Sequence, residues 1–267
     1  ALVSSLKGAA LGDRVGQGTL TDLGYGKFTF THSLFGSTTF GTDPYIRGAV
    51  TWFDGMSGVT GTVSSTNSLV GSAGNDLVGQ SVTVLSNGNY IVKSALGATP
   101  KGAITWGSGS SGVSGTVTTT NSLVGAAGDG LGSGGVTALN NGNAVIASPL
   151  WGSGDGTTAN AKGAVTWMNG TTGLVGSVSA SNSLVGGAAG DRVSASAGSK
   201  YSGDADGAGE DAIFLPYWAL NQEEMLALLL DLPGPTLVGL DLGLSLPFHD
   251  AGAFFPGWDA SPADARG

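Results

Sequence analysis

The feature that most limits the folds open to this chain is an internal repeat. Gly48-Ala49-Val50-Thr51-Trp52 returns as Gly102-Ala103-Ile104-Thr105-Trp106 and again as Gly163-Ala164-Val165-Thr166-Trp167. Each tryptophan opens a ladder of glycines at every third position: Gly55, Gly58, Gly61; then Gly109, Gly112, Gly115; then Gly170, Gly173, Gly176. Each ladder leads to Asn-Ser-Leu-Val-Gly, starting at Asn67, Asn121 and Asn182. The tryptophans at 52, 106 and 167 set a period of 54 and then 61 residues. One such unit is too small to bury its own apolar face, so neighbouring units must bury it together.

A further copy is divided between the two ends. Ser5-Leu6 matches Ser68-Leu69, and Gly12-Asp13 matches Gly128-Asp129 and Gly190-Asp191. The expected division is residues 1–22 as the end of one unit, 23–76, 77–129 and 130–191 as three units, and 192–215 as part of a fourth. Residues 216–267 form a separate C-terminal segment.

Inside a unit the signals are those of short strands. Val82 to Leu85 is β-prone, Asn87-Gly88 is a hairpin turn of type I′, and Asn89 to Ser94 returns. Gly102 to Trp106 gives a third strand and Gly115 to Thr120 a fourth. Asn141-Gly142 repeats the turn signal, and Pro149 to Lys162 holds the extra length of the third unit as a Gly-, Ser- and Thr-rich loop. Four short strands per unit make an all-β fold of repeated four-stranded units, a small or partial β-propeller. The alternative is a β-solenoid, in which units stack linearly. The split unit favours the ring, because a propeller closes by joining its two chain ends in one blade. The repeated tryptophan is a core filler between units, with exposed sugar-stacking aromatics as the rival reading.

These motifs carry two resemblances. Asn-Ser-Leu-Val-Gly, Gly-Asp, Asn-Gly-Asn-Tyr-Ile-Val and Gly-Ala-Ile-Thr-Trp resemble the FG-GAP type of propeller blade found in integrin α chains. The same wording is similar to repeats of large bacterial filamentous-haemagglutinin-like exoproteins. Together the resemblances cover about residues 4–215, and they imply a secreted or cell-surface module.

Composition excludes several functions. The chain has 49 glycines among 267 residues, only 11% charged residues, 10 basic against 19 acidic, and a formal charge of −9. Nucleic-acid binding needs clustered Lys and Arg, so that class is set aside. Mean hydropathy of +0.19 with so few charges is the opposite of a disordered composition. No apolar run is long enough for a transmembrane helix, and Ala1-Leu2-Val3 starts no recognisable signal peptide. With no cysteine, disulfides and thiolate chemistry are excluded, and His32 and His249 are the only histidines.

The candidate metal ligands are Asp204, Asp206, Glu210 and Asp211, four carboxylates in an acidic, glycine-punctuated turn. Calcium prefers such hard oxygens, and calcium is the one cofactor expected; a solvated acidic turn is the alternative. Asp13, Asp76, Asp129 and Asp191 occupy equivalent places, either as turn caps or as a ring of acidic groups. His32 ends a strand of the first unit as a satisfied structural residue. Gly107-x-Gly109-x-x-Gly112 and Asn169-Gly170-Thr171 are turns that match a dinucleotide fingerprint and a glycosylation sequon by letter only.

The C-terminal segment opens with an expected helix from Asn221, its N-cap, to about Asp231, stopped by Pro233-Gly234. Its leucines face nearly every direction, so it must find a cover or a partner. Thr236 to Leu246 alternates as a half-buried strand. The functional expectation is a structural or adhesive module, secreted or at the cell surface, binding another protein chain or a glycan. The alternatives are a self-assembling filament subunit, associating through the C-terminal helix, and a polysaccharide hydrolase or lyase using a carboxylate pair.

Overall fold

A computed structural model of the chain describes residues 5–10, 12–37, 45–99 and 101–194. The expected partial fourth unit beyond Ser194, the acidic turn with Asp204, Asp206, Glu210 and Asp211, the helix from Asn221 and the strand to Leu246 all lie outside the described residues.

The described chain is all-β and is built from repeated units of four strands. In the first unit β2 (Leu20–Gly24), β3 (Lys27–His32), β4 (Ala49–Asp54) and β6 (Leu69–Val70) pair antiparallel in that order. The second repeats the order with β7 (Ser81–Val84), β8 (Tyr90–Ser94), β9 (Ala103–Gly107) and β11 (Leu123–Val124). The third does so with β12 (Gly135–Ala138), β13 (Ala144–Ser148), β14 (Ala164–Met168) and β16 (Leu184–Val185).

The remaining strands join the units. In each glycine ladder the chain makes a two-residue strand that pairs parallel with the unit before it. These are β5 (Gly61–Thr62) on β1 (Leu6–Lys7), β10 (Gly115–Thr116) on β6, and β15 (Gly176–Ser177) on β11. The registers Leu6↔Gly61, Leu69↔Gly115 and Leu123↔Gly176 are the same step repeated. This corrects the expected fourth strand. Gly115 to Thr120 is regular only over its first two residues, and it belongs to the neighbour's sheet edge. The Asn121 side chain ends it by donating to the Thr116 carbonyl (2.9 Å) and accepting from the Thr118 amide (2.9 Å). The strand that completes the unit's own sheet is the Leu-Val of Asn-Ser-Leu-Val-Gly.

The hairpins also differ from expectation. At Asn87-Gly88 only the glycine has positive φ (83°). Gly88 donates to the Leu85 carbonyl (2.9 Å) and Leu85 to the Asn89 carbonyl (2.8 Å), which is a type I turn followed by a left-handed glycine bulge. The Asn87 carboxamide oxygen accepts from Asn89 N (3.0 Å), and that local bond suits the type I geometry. The two-residue turn with both central residues at positive φ is instead at Tyr25 (53°) and Gly26 (71°).

The core lies between units. Val50 and Leu69 of the first unit pack with Val78, Tyr90, Val92, Val117 and Val124 of the second, with Trp52 against them. Ile104 and Leu123 pack with Leu131, Ile146 and Met168 in the same way, with Trp106 against them. Facing positions on adjacent strands share their volume. The cross-strand pair is Phe28–Phe53 in the first unit, Tyr90–Gly107 in the second and Ala144–Met168 in the third. Two medium rings, one large ring with no side chain, and a methyl with a long side chain are three ways to fill one space.

Candidate functional site

Most repeated polar residues have a structural partner, and the partners define what one unit needs from the next. Thr51, Thr105 and Thr166 are fully buried, and each hydroxyl meets that of Ser68, Ser122 or Ser183 at 2.6–2.7 Å. Each serine in turn donates to the preceding asparagine, for example Ser68 to Asn67 Oδ1 (2.9 Å). Trp52 Nε1 donates to the Gly109 carbonyl of the following unit (3.1 Å), and Trp106 Nε1 donates to Gly170 (2.9 Å). Trp52 and Trp106 are therefore interfacial packing residues with a hydrogen-bonded indole, whereas the buried Trp167 Nε1 has no hydrogen-bond partner among the described residues.

The repeated aspartates are turn caps. Asp13 Oδ2 accepts from the amides of Ala9 (2.7 Å) and Ala10 (2.9 Å), and its Oδ1 from Gly36 (3.0 Å). Asp129 repeats the pattern with Ala126 (2.7 Å) and Gly152 (2.9 Å). Asp13, Asp76 and Asp129 are buried, so they form no exposed acidic ring. Asn169 caps its own turn by accepting from Thr171 N (2.8 Å) and Thr172 N (3.1 Å). Gly107 and Gly109 are glycines because a Cβ there would fall 2.2 Å from the Tyr90 ring and 2.0 Å from the Gly88 carbonyl. The proposed calcium ligands lie outside the described residues, and among the described residues no three His, Asp or Glu side chains gather to hold a metal.

The first unit carries a cavity of ≈190 Å³, lined by Leu6, Val15, Gly16, Phe30, His32, Thr51, Phe53 and Val59. Its floor is polar and locked. His32 is 2% exposed. Its Nδ1 accepts from the Gly16 amide (3.3 Å), which leaves the proton on Nε2, and Nε2–H donates to Thr51 Oγ1 (2.9 Å). The chain of donors then runs through Ser68 to Asn67. Burial lowers the His32 pKa to about 4. A neutral imidazole whose lone pair is taken by an amide, and whose N–H points at the hydroxyl, cannot take a proton from that hydroxyl. The His–Thr–Ser line is thus a structural relay and not an activated nucleophile. The second and third units place Ser94 and Ser148 where His32 stands, and Ser148 Oγ accepts from Gly132 N (3.0 Å) as His32 does from Gly16.

The residues around this cavity, Gly16, Phe30, Phe53 and Val59, were not singled out from the sequence. The signal was present, since Gly16 aligns with Gly79 and Gly132. Those two glycines are covered by Val50 and Ile104 of the preceding unit, while among the described residues nothing lies within 4 Å of a Cβ placed on Gly16.

A family model for a repeat of unknown function, DUF5650, matches residues 41–80, 84–133 and 138–195. The chain belongs to this repeat family. No curated protein and no solved structure matches it. The three matches take in the tryptophan strand, the glycine ladder, the Asn-Ser-Leu-Val-Gly strand and the capped aspartate turn of each DUF5650 unit. Those are the elements through which the units dock. Among the described residues no helix is long and apolar enough to cross a membrane.

Proposed function

We propose that this DUF5650 chain is a structural module of a secreted or cell-surface protein, whose task is to present a stiff run of repeats and to hold another polypeptide. The observation that supports it is where the repeated side chains are directed. Trp52 and Trp106 bond to the following unit, and Ser86 and Asn87 of one hairpin turn bond to the Asn140 and Gly142 carbonyls of the next. The residues that make the repeat a repeat act between units, which is what a scaffold requires and a catalyst does not. The placement outside the cell rests on the resemblance to exoprotein repeats. Fold alone would be weak ground for function, so the test is direct. Antibody to the chain should label intact, unpermeabilised source cells or their medium. Incubation with a panel of polysaccharides should release no reducing ends. Turnover of any polysaccharide would replace this reading with the hydrolase or lyase alternative.

A further inference from the structure

The hydrogen-bond line that starts at His32 has two counterparts with no ring at their head. In each unit the serine of Asn-Ser-Leu-Val-Gly donates to the asparagine before it: Ser68 to Asn67 (2.9 Å), Ser122 to Asn121 (2.9 Å) and Ser183 to Asn182 (3.0 Å). The serine proton is then used, so the threonine is the donor in each Thr–Ser pair. That leaves the lone pairs of Thr51, Thr105 and Thr166 Oγ1 facing buried surroundings. A buried hydroxyl is normally satisfied on both counts. Thr51 Oγ1 is, because His32 Nε2–H donates to it at 2.9 Å.

Strand register sets Ser94 and Ser148 in the His32 position. His32 lies opposite Ala49, Ser94 opposite Ala103 and Ser148 opposite Ala164, and in each case the threonine stands two residues beyond the alanine on the same face of the sheet. A serine side chain stops at the γ atom, where the imidazole goes on with four more ring atoms. Ser94 Oγ is buried and meets no hydrogen-bond partner among the described residues. Ser148 Oγ accepts from the Gly132 amide (3.0 Å), as His32 Nδ1 accepts from Gly16, and its O–H remains to be donated. Each of these units thus presents a spare donor and a spare acceptor across a gap that one ring spans in the first unit. Both gaps lie inside junctions between described units. Val50 covers Gly79, the counterpart of Gly16, and Ile104 covers Gly132.

We infer that the second and third units each hold one internal water in the place of the His32 ring. In the second unit the water accepts from Ser94 O–H and the Gly79 amide and donates to Thr105 Oγ1. In the third it accepts from Ser148 O–H and donates to Thr166 Oγ1. Two or three polar partners are what a buried water requires, and its share of liquid volume, about 30 Å³, is within what an imidazole's outer atoms vacate. The water completes the same relay into Ser122–Asn121 and Ser183–Asn182 that the imidazole completes into Ser68–Asn67. The apolar cover of Val50 and Ile104 makes both waters slow to exchange. This goes beyond the module reading and does not depend on it.

The probe is ¹⁷O-labelled water, whose magnetic relaxation dispersion counts long-lived internal waters in the full chain and is blind to hydroxyl proton exchange. Ser94→His and Ser148→His should each lower the count by one, and the double variant by two, because the ring then occupies the site. Ser65→His, on an exposed turn, should leave the count unchanged. A thermal melt followed by tryptophan fluorescence shows that each variant is folded. If one is not, an atomic-resolution crystal structure of the unmodified chain decides, with a water expected between Ser94 Oγ and Thr105 Oγ1. A folded variant with the wild-type count, an equal loss in Ser65→His, or a direct Ser94–Thr105 hydrogen bond in the crystal would each overturn the inference. Such a failure would leave cell-surface labelling and the polysaccharide assay untouched.

Discussion

Exchanging the cross-strand pair of the second unit for that of the third should show that the units share one packing frame. Tyr90 is 0% exposed, and a Cβ on Gly107 would lie 2.2 Å from its ring carbon Cζ. Gly107→Met alone therefore overpacks a closed site. Such insertions cost about 1–3 kcal/mol where neighbours can adjust, and a rigid ring leaves little room to adjust. Tyr90→Ala alone empties the same space. Loss of a buried aromatic costs about 3–5 kcal/mol, and the Val113 amide also loses its bond to Tyr90 Oη (3.2 Å). If the two changes were independent, the double variant would lose roughly 4–8 kcal/mol, enough to unfold many domains. The third unit says otherwise, because Ala144 and Met168 fill the corresponding space and are both 0% exposed. Gly107 has no positive φ to forbid a side chain. The expected cost of Tyr90→Ala with Gly107→Met is about 2 kcal/mol or less, a favourable coupling of at least about 2 kcal/mol. Urea unfolding of the four proteins, followed by tryptophan fluorescence, measures it. Single-variant costs that add to within about 0.5 kcal/mol in the double would refute a common frame.

Three further outcomes follow from the same contacts. The His32 pKa is about 4 in the native state against 6.5 unperturbed, so as pH falls below 6.5 the unfolded imidazole gains a proton that the native one refuses. Its contribution is complete above pH 6.5 and is lost toward pH 4 at up to about 1.4 kcal/mol per pH unit, about 3 kcal/mol in all. His32→Ser, the residue of the other two units, should flatten that slope in urea titrations across the window, and an unchanged slope would contradict the burial argument. Asp129→Ala should cost about 2–5 kcal/mol by leaving the Ala126 and Gly152 amides without their acceptor, read as a fall in thermal midpoint; a loss below about 0.5 kcal/mol would show that water replaces the carboxylate. Gly109→Ala brings a methyl to 2.0 Å from the backbone carbonyl of Gly88 and should cost about 3 kcal/mol or more, whereas a wild-type denaturation midpoint would mean that the hairpin there moves freely.

Much of the fold was legible because the repeat states it three times. The wording around Trp52, Trp106 and Trp167 carried the period and the all-β class, and it left the repeated aspartates open between turn caps and an acidic ring. Those features depend on residues close together in the chain, where turn preference and alternation act directly. The sequence pattern failed where the partner is a whole unit away. Gly115 to Thr120 looked like a strand of its own unit, yet its pairing is with Leu69 and Val70, and no local propensity records which sheet edge a two-residue strand will join. The hairpin at Asn87-Gly88 took the bulged form because Asn87 bonds locally, a choice its letters leave open. The Tyr90–Gly107 and Ala144–Met168 pairs are unremarkable as letters and become complementary only once register places them face to face. The cover over the repeated glycines was hidden for the same reason. Gly79 and Gly132 read as turn glycines until tertiary packing shows that they lie under an aliphatic side chain from the preceding unit. The sequence by itself determined what each unit is. The tertiary structure decided how the units meet, because burial is shared between segments that lie tens of residues apart in the chain.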